Sequence, residues 1–190
     1  MIRSLVLATK NPHKAAEVAA VLARLVPGLE LVDGLQWPDV DETGATLEDN
    51  AILKARTVAR ATGHDAIADD TGLEVDALGG APGVRSSRYA GERASYAENR
   101  AALLEAMRGR SDRGARFRTV VALVTTGGET ITAAGTLEGR ITEAPRGESG
   151  FGYDPIFEVD GRTLAELGEA EKNQMSHRAR ALEALAEILA

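Results

Sequence analysis

Near the N-terminus the hydrophobic period switches once, and that switch restricts the fold more than any other feature. Arg3 to Ala8 (RSLVLA) is a short apolar run, followed by apolar residues at Val18, Val21, Leu22 and Leu25. The first pattern is that of a buried strand and the second that of one face of a helix. Between them, Asn11 suits an N-cap and Pro12 the first helical position. A strand feeding directly into an amphipathic helix is the opening unit of an α/β sheet. The alternation then recurs. Thr46, with Asp49 as an acidic capping-box partner, opens a second helix that stops near Gly63, and AIADD follows as a strand. Ser95 and Glu98 box a third helix reaching about Arg108. FRTVVALVTTGGETITAAGTLEG forms two strands joined by a Thr-Gly-Gly turn. A short strand is expected around Pro155 to Val159, with Thr163 capping a brief helix. SHRARALEALAEILA closes the chain as an amphipathic helix on Leu182, Leu185, Ile188 and Leu189. Helices alternating with strands, plus one hairpin, predict an α/β domain around a mixed sheet.

The 190 residues suit a single domain, 1–190, which can carry two lobes. There is no internal repeat, low-complexity tract or linker. No apolar run approaches membrane-spanning length, and MIRSLVLATK is too short in apolar residues for a signal peptide, so a soluble cytoplasmic protein is expected. With no cysteine, a metal would be held by oxygen or by the three histidines, which points to a hard cation. The net charge of -7 argues against a nucleic-acid polymer as partner, while leaving room for a small anion where positive groups gather. Of the 22 basic residues only Lys10, Lys14, Lys54 and Lys172 are lysine. A chain this rich in arginine keeps lysine either by chance of composition or where a compact point charge is required.

Five segments and Lys54 carry the chemistry. TKNPHK places Lys10 and Lys14 beside a helix N-terminus, where basic side chains oppose the helix dipole and an anion is favoured, so phosphate binding explains Lys14 better than helix stability does. It is not a P-loop, because GxxxxGK[ST] is absent. DETG (Asp41 to Gly44) precedes the second helix and ADDTG (Ala68 to Gly72) ends the strand after it, a succession that can bring both acidic pairs to one end of a sheet. Asp69 and Asp70 are neighbours in a strand, so they face opposite sides and differ in role. One can hold a metal while the other takes a proton. Lys54 lies on the apolar row Leu47, Ala51, Lys54, Val58 and either snorkels to the rim or reaches inward. SGFGYDPIF gathers Phe151, Tyr153 and Phe157; Phe151 or Tyr153 can stack on a base, or the group is an aromatic satellite of the core, the reading preferred for Phe157. KNQMSHR places Lys172, Ser176, His177 and Arg178 at the start of the last helix. Between these segments, GLEVDALGGAPGVRSSRYAG has the composition of a long ordered loop.

LATKNPHK, ETG-x5-NAILKA, ADDTGLEVDALGGAPGVRSSRYAG, GFGYDPIF and EKNQMSHR, in this order, resemble the inosine triphosphate pyrophosphatase family, from about Leu5 to Leu182. These dITP/XTP diphosphatases remove non-standard purine nucleoside triphosphates from the nucleotide pool. The resemblance implies a two-lobed α/β fold with a long twisted mixed sheet, helices flanking it, a cleft between the lobes, and a homodimer. It implies triphosphate binding at Thr9, Asn11, Lys14 and Lys54, with Thr71 where many relatives have serine. It implies Mg²⁺ at Glu42 and Asp70, with Asp69 near the metal and Asp70 as the proton acceptor. Phe151, Gly152, Tyr153, Asp154, Lys172, His177 and Arg178 correspond to the base and sugar side. Lys10 replaces a residue that is often glycine in relatives and is left outside the site. The competing readings are a nucleotide sensor without turnover, a relative acting on other triphosphates, and an aspartyl phosphomonoesterase, the last weakened by the absence of DxDx[TV].

Overall fold

A computed structural model describes residues 3–189 of the chain, with the side chain of Leu189 outside the described part. The strand-to-helix opening is present as β1 (Ser4–Leu7) and α1 (Pro12–Leu25), with Asn11 capping the helix and Pro12 in its first turn. After a two-residue strand, β2 (Glu30–Leu31), comes α2 (Leu47–Thr62). Thr46 and Asp49 form the full capping box, and Gly63 closes the helix in the left-handed conformation that glycine adopts without penalty. A cap such as Thr46 contributes about 1 kcal/mol to helix stability. Next are β3 (Ala66–Val75), the two-residue β4 (Pro82–Gly83), and α3 (Tyr96–Ala106), whose Ser95 and Glu98 box is also complete. The hairpin consists of β5 (Gly114–Val124) and β6 (Thr130–Ile141). The chain ends with β7 (Phe157–Val159), β8 (Arg162–Thr163), α4 (Glu169–Met175) and α5 (His177–Leu189).

The strands form one sheet in the order β2-β1-β3-β5-β6-β7-β8, with β4 paired to β3 off this path. It is mixed: β1 is parallel to β2 and β3, whereas β4 runs antiparallel to β3, and β7 runs antiparallel to β6 and β8. The chain divides into two compact units. One comprises Met1–Asp70, Thr119–Gly135 and His177–Ala190; the other comprises Thr71–Arg118 and Thr136–Ser176. Each has its own core. In the first, Val18, Val21 and Leu22 of α1 pack with Leu182 and Leu185 of α5 and with Ile67, Val121 and Leu123 of the strands. In the second, Leu73, Leu103, Met107, Leu137, Ile141, Ile156 and Phe157 are fully or almost fully buried together. No helix among the described residues is long and apolar enough to cross a membrane.

Four expectations need correction. β3 does not run out at Asp69 and Asp70 but continues to Val75. What ends there is its partner: β1 pairs with β3 at Ala66 and Ile67, and β4 takes over at Leu73 and Glu74. The two aspartates occupy the stretch between these pairings. Residues 72–75, expected in a loop, therefore belong to the strand, and Gly72 is required there because a Cβ would stand 2.8 Å from the Gly83 carbonyl oxygen. Helix α3 stops at Ala106, short of Arg108, where Met107 leaves helical geometry. Ile188 is exposed, because the packing of α5 on the core ends at Leu185.

Candidate active site

In the first unit the acidic segments meet Lys14 and Lys54. Asp70, in β3, accepts from Lys54 Nζ at 3.0 Å on Oδ1 and from Asn50 Nδ2 at 3.2 Å on Oδ2. The same Lys54 ammonium donates to Glu42 Oε1 at 2.7 Å. Lys54 thus reaches inward from the apolar row of α2 and links the carboxylates of the two acidic segments. Asp69 turns to another set of cations, as strand alternation requires. Its Oδ2 lies 3.2 Å from Lys14 Nζ and accepts from Arg178 Nε and Nη2 at 3.2 and 3.1 Å. Arg178, only 2% exposed, also donates from Nη1 to Glu17 Oε2.

These surroundings separate two side chains of the same type. Burial alone would raise the Asp69 carboxyl, but Lys14, Arg178 and Lys54 outweigh it and hold the group well below the usual carboxylate range. At Asp70 burial prevails; Lys54 opposes it, Glu42 reinforces it, and the carboxyl is raised. Burial would lower Lys54, yet Asp70, Asp69 and Glu42 together keep its ammonium above the ordinary value. Asp69 is a fixed anion, and Asp70 is a carboxylate with raised proton affinity.

The turn before α1 is organised differently from expectation. Asn11 Oδ1 accepts from His13 N at 3.0 Å and Lys14 N at 3.4 Å, while Asn11 N donates to Thr9 Oγ1 at 3.2 Å. Pro12 has no N–H, so the asparagine cap already satisfies the first-turn amides that sequence reasoning held open for an anion. The Lys14 side chain remains as the positive group of this turn. Thr71 follows Asp70 in β3 and is half-buried.

In the second unit Lys172 and Asp154 form an almost fully buried pair, with Nζ 2.6 Å from Oδ2. The same Oδ2 accepts from Phe151 N at 2.9 Å. Gly150, at φ +73°, is required here because a Cβ would collide with the Asp154 carboxylate. The Lys172 ammonium lies 4.9 Å from the Phe151 ring centroid, and the Tyr96 ring of α3 packs against Phe151 at 5.9 Å between centroids, tilted by 42°. Arg100 Nη1 donates to the Gly152 carbonyl at 2.8 Å, fixing the loop from α3. Tyr153 is 6% exposed and donates its hydroxyl to Ser86 O at 2.8 Å. Its ring belongs to the core cluster, leaving the half-buried Phe151 as the aromatic surface of this loop. Phe157 is a core residue, packed 4.6 Å from Phe117, as expected. The division between units falls between Ser176 and His177. Lys172 therefore belongs with Asp154, while His177 and Arg178 open α5 in the first unit, both buried.

Residues 5–188 match the model of the Ham1 family. The chain belongs to the Ham1 family. It is 47% identical over 193 residues to a dITP/XTP pyrophosphatase of Bacillus licheniformis, covering 99% of this chain and 98% of that protein. A dITP/XTP pyrophosphatase of Elusimicrobium minutum is 50% identical over 188 residues, covering 94% and 95%. Among solved structures, a HAM1 protein from Coxiella burnetii matches with a TM-score of 0.86 at 46% identity, covering 98% of each chain.

Within this Ham1 chain, sequence reasoning missed Glu17 and Asn50. Glu17 lies one helical turn beyond Lys14, and Asn50 one turn before Lys54 on the inward row of α2, so both carried a spacing signal. Lys10, left outside the site, pairs with Asp39 at an exposed position. Solvent screens an exposed pair of this kind, so it contributes little to stability. Lys10→Ala is accordingly expected to leave melting temperature and turnover essentially unchanged, which a thermal melt and a steady-state assay would check.

Proposed function

We propose that this Ham1 protein hydrolyses dITP, ITP and XTP to the nucleoside monophosphate and pyrophosphate, so clearing non-standard purines from the nucleotide pool. The observation that carries this reading is the shared Lys54 ammonium, which brings Glu42 and Asp70 together beside an Asp69 already neutralised by Lys14 and Arg178. Two carboxylates converging on one cation fit Mg²⁺, which takes one or two carboxylates and completes its octahedron with water and phosphate oxygens. Among the described residues no cluster of three or more histidine or acidic side chains could hold an ion. Glu42 and Asp70, which share the Lys54 ammonium, are the proposed protein ligands, and Asp69 is the neighbouring counter-charge. When bound, Mg²⁺ supplies charge neutralisation for the triphosphate.

Lys14 and Lys54 would bind the phosphates as point charges, with Thr9 and Asn11 shaping the turn that carries Lys14 and Thr71 extending the strand surface beyond Asp70. Asp70 would accept a proton from the attacking water as its oxygen bonds to the α-phosphorus; the bond to the bridging oxygen breaks and pyrophosphate leaves. The raised proton affinity of Asp70 suits that role. On the base side the proposed contacts are Phe151, Gly152, Asp154, Lys172, His177 and Arg178, with Tyr153 anchoring the loop from the core. Phe151 offers a ring, and donors from His177, Arg178 or backbone amides would face the 6-carbonyl of hypoxanthine or xanthine. The adenine amino group would leave such a donor unpaired, costing about 1 to 3 kcal/mol. A homodimer and a cytoplasmic location complete the proposal, the former checked by light scattering.

The test is incubation with Mg²⁺ and, separately, dITP, XTP, dATP, dGTP and dTTP, measuring pyrophosphate and orthophosphate. Pyrophosphate from dITP and XTP, with little from the others, is the expected result. Orthophosphate instead would favour a phosphomonoesterase, and dITP binding without turnover a sensor.

A further inference from the structure

One buried side chain touches both carboxylate-bearing segments, and the chemistry above gives it no task. Asn50, in the first turns of α2, is fully buried. Its Nδ2 donates to Asp70 Oδ2 at 3.2 Å, and its Oδ1 accepts from Gly44 N at 2.7 Å. Gly44 closes the segment that carries Glu42. The two bonds fix the orientation of the amide: a backbone N–H can meet only the oxygen, so the NH₂ group must face the carboxylate. The approach is also specific for glycine, since a Cβ at Gly44 would stand 2.6 Å from Asn50 Oδ1 and from the Cβ of Asp49.

From this juxtaposition we infer that Asn50 is a positioning residue that sets the spacing and orientation of Glu42 and Asp70 for a divalent cation. The inference rests on the proposed use of those carboxylates. Lys54 can draw them together by charge, but an ammonium on a flexible stem does not fix the plane of a carboxylate. A buried amide with both ends engaged does, because leaving either end unpaired carries the full desolvation cost of that group. Asn50 also leaves Asp70 Oδ1 to the cation side, where Lys54 now sits. Supporting groups of this kind are commonly worth about 10-fold to 100-fold in metal affinity or activity.

The discriminating variant is Asn50→Leu, which keeps the approximate size of the side chain and removes the bonds to Gly44 N and Asp70 without adding a charge beside the carboxylates. Mn²⁺ binding is followed by electron paramagnetic resonance without nucleotide, alongside kcat and KM for dITP with Mg²⁺ and a thermal melt. The expected result is metal affinity and kcat lower by about 10-fold to 100-fold, with KM for dITP changed far less. If Asn50→Leu does not fold, Gly44→Ala decides: the added Cβ displaces the Glu42 segment from Asn50, and weaker Mn²⁺ binding in a folded protein is expected. Mn²⁺ binding and kcat equal to the unmodified protein, or losses that follow melting temperature alone, would overturn the inference. Failure of the unmodified protein to turn over dITP would overturn the proposed function instead, and the Mn²⁺ comparison would still decide the role of Asn50.

Discussion

Asp70→Asn is expected to lower kcat for dITP on the order of 10³-fold or more, the loss that accompanies removal of a general base, while the protein stays folded. The sign of the stability effect follows from the raised carboxyl. A group whose folded proton affinity exceeds its unfolded value favours folding at low pH, and that contribution is lost as pH rises through the folded value. At neutral pH the charged form of Asp70 is thus a cost, which asparagine removes. The variant weakens Lys54 by one partner but leaves it Glu42. Its metal-free melting temperature is expected within a few degrees of the parent, a change of about 1 kcal/mol or less. Steady-state kinetics, calorimetric titration with dITP and a thermal melt would check the three parts. A folded variant that binds dITP and does not turn it over matches expectation, whereas a variant that fails to fold would make Asp70 a structural residue.

The adjacent substitution is expected to act in the opposite sense. Asp69 is buried between Lys14 and Arg178, and Asp69→Asn takes one anionic partner from the buried Arg178 guanidinium, which keeps Glu17. Breaking a buried pair from one side costs about 3 to 5 kcal/mol. For a chain of this size that is on the order of 10 °C in melting temperature. The pH dependence carries the same signature. The depressed carboxyl supplies stability that is present above its unfolded value, about 3.9, and lost as pH falls through its lower folded value. The parent protein should lose this contribution on acidification below about pH 4, and Asp69→Asn should lack that component. Melts recorded from neutral to acid pH would show it. Equal destabilisation by Asp69→Asn and Asp70→Asn would contradict the division of roles.

The contrast between the two aspartates was legible in the sequence because strand alternation alone sends neighbouring side chains to opposite faces. Their partners were legible unevenly. Lys14 and Lys54 stood out by residue type and helix position, and both reach a carboxylate. Arg178 was grouped with Lys172 and His177 by proximity in the chain, yet it contacts an aspartate 109 residues away, and no local pattern encodes such a pairing. The capped helices were readable from their Thr-x-x-Asp and Ser-x-x-Glu boxes. The two-residue strands β2, β4 and β8 were not, since a period of two cannot show over so short a span. Helix α4 also escaped: its seven residues carry no apolar repeat, and the side chain it buries is Lys172. The apparent end of β3 misled for a related reason, because carboxylates in a central strand mimic the end of a core run when the cations that satisfy them are remote in sequence.

Turnover of dITP in water labelled with heavy oxygen, followed by mass spectrometry of both products, reads out which phosphorus of the triphosphate the water attacks. The label is predicted in the nucleoside monophosphate, with unlabelled pyrophosphate. Label in pyrophosphate, or release of labelled orthophosphate, would place the attack at another phosphorus and contradict the account.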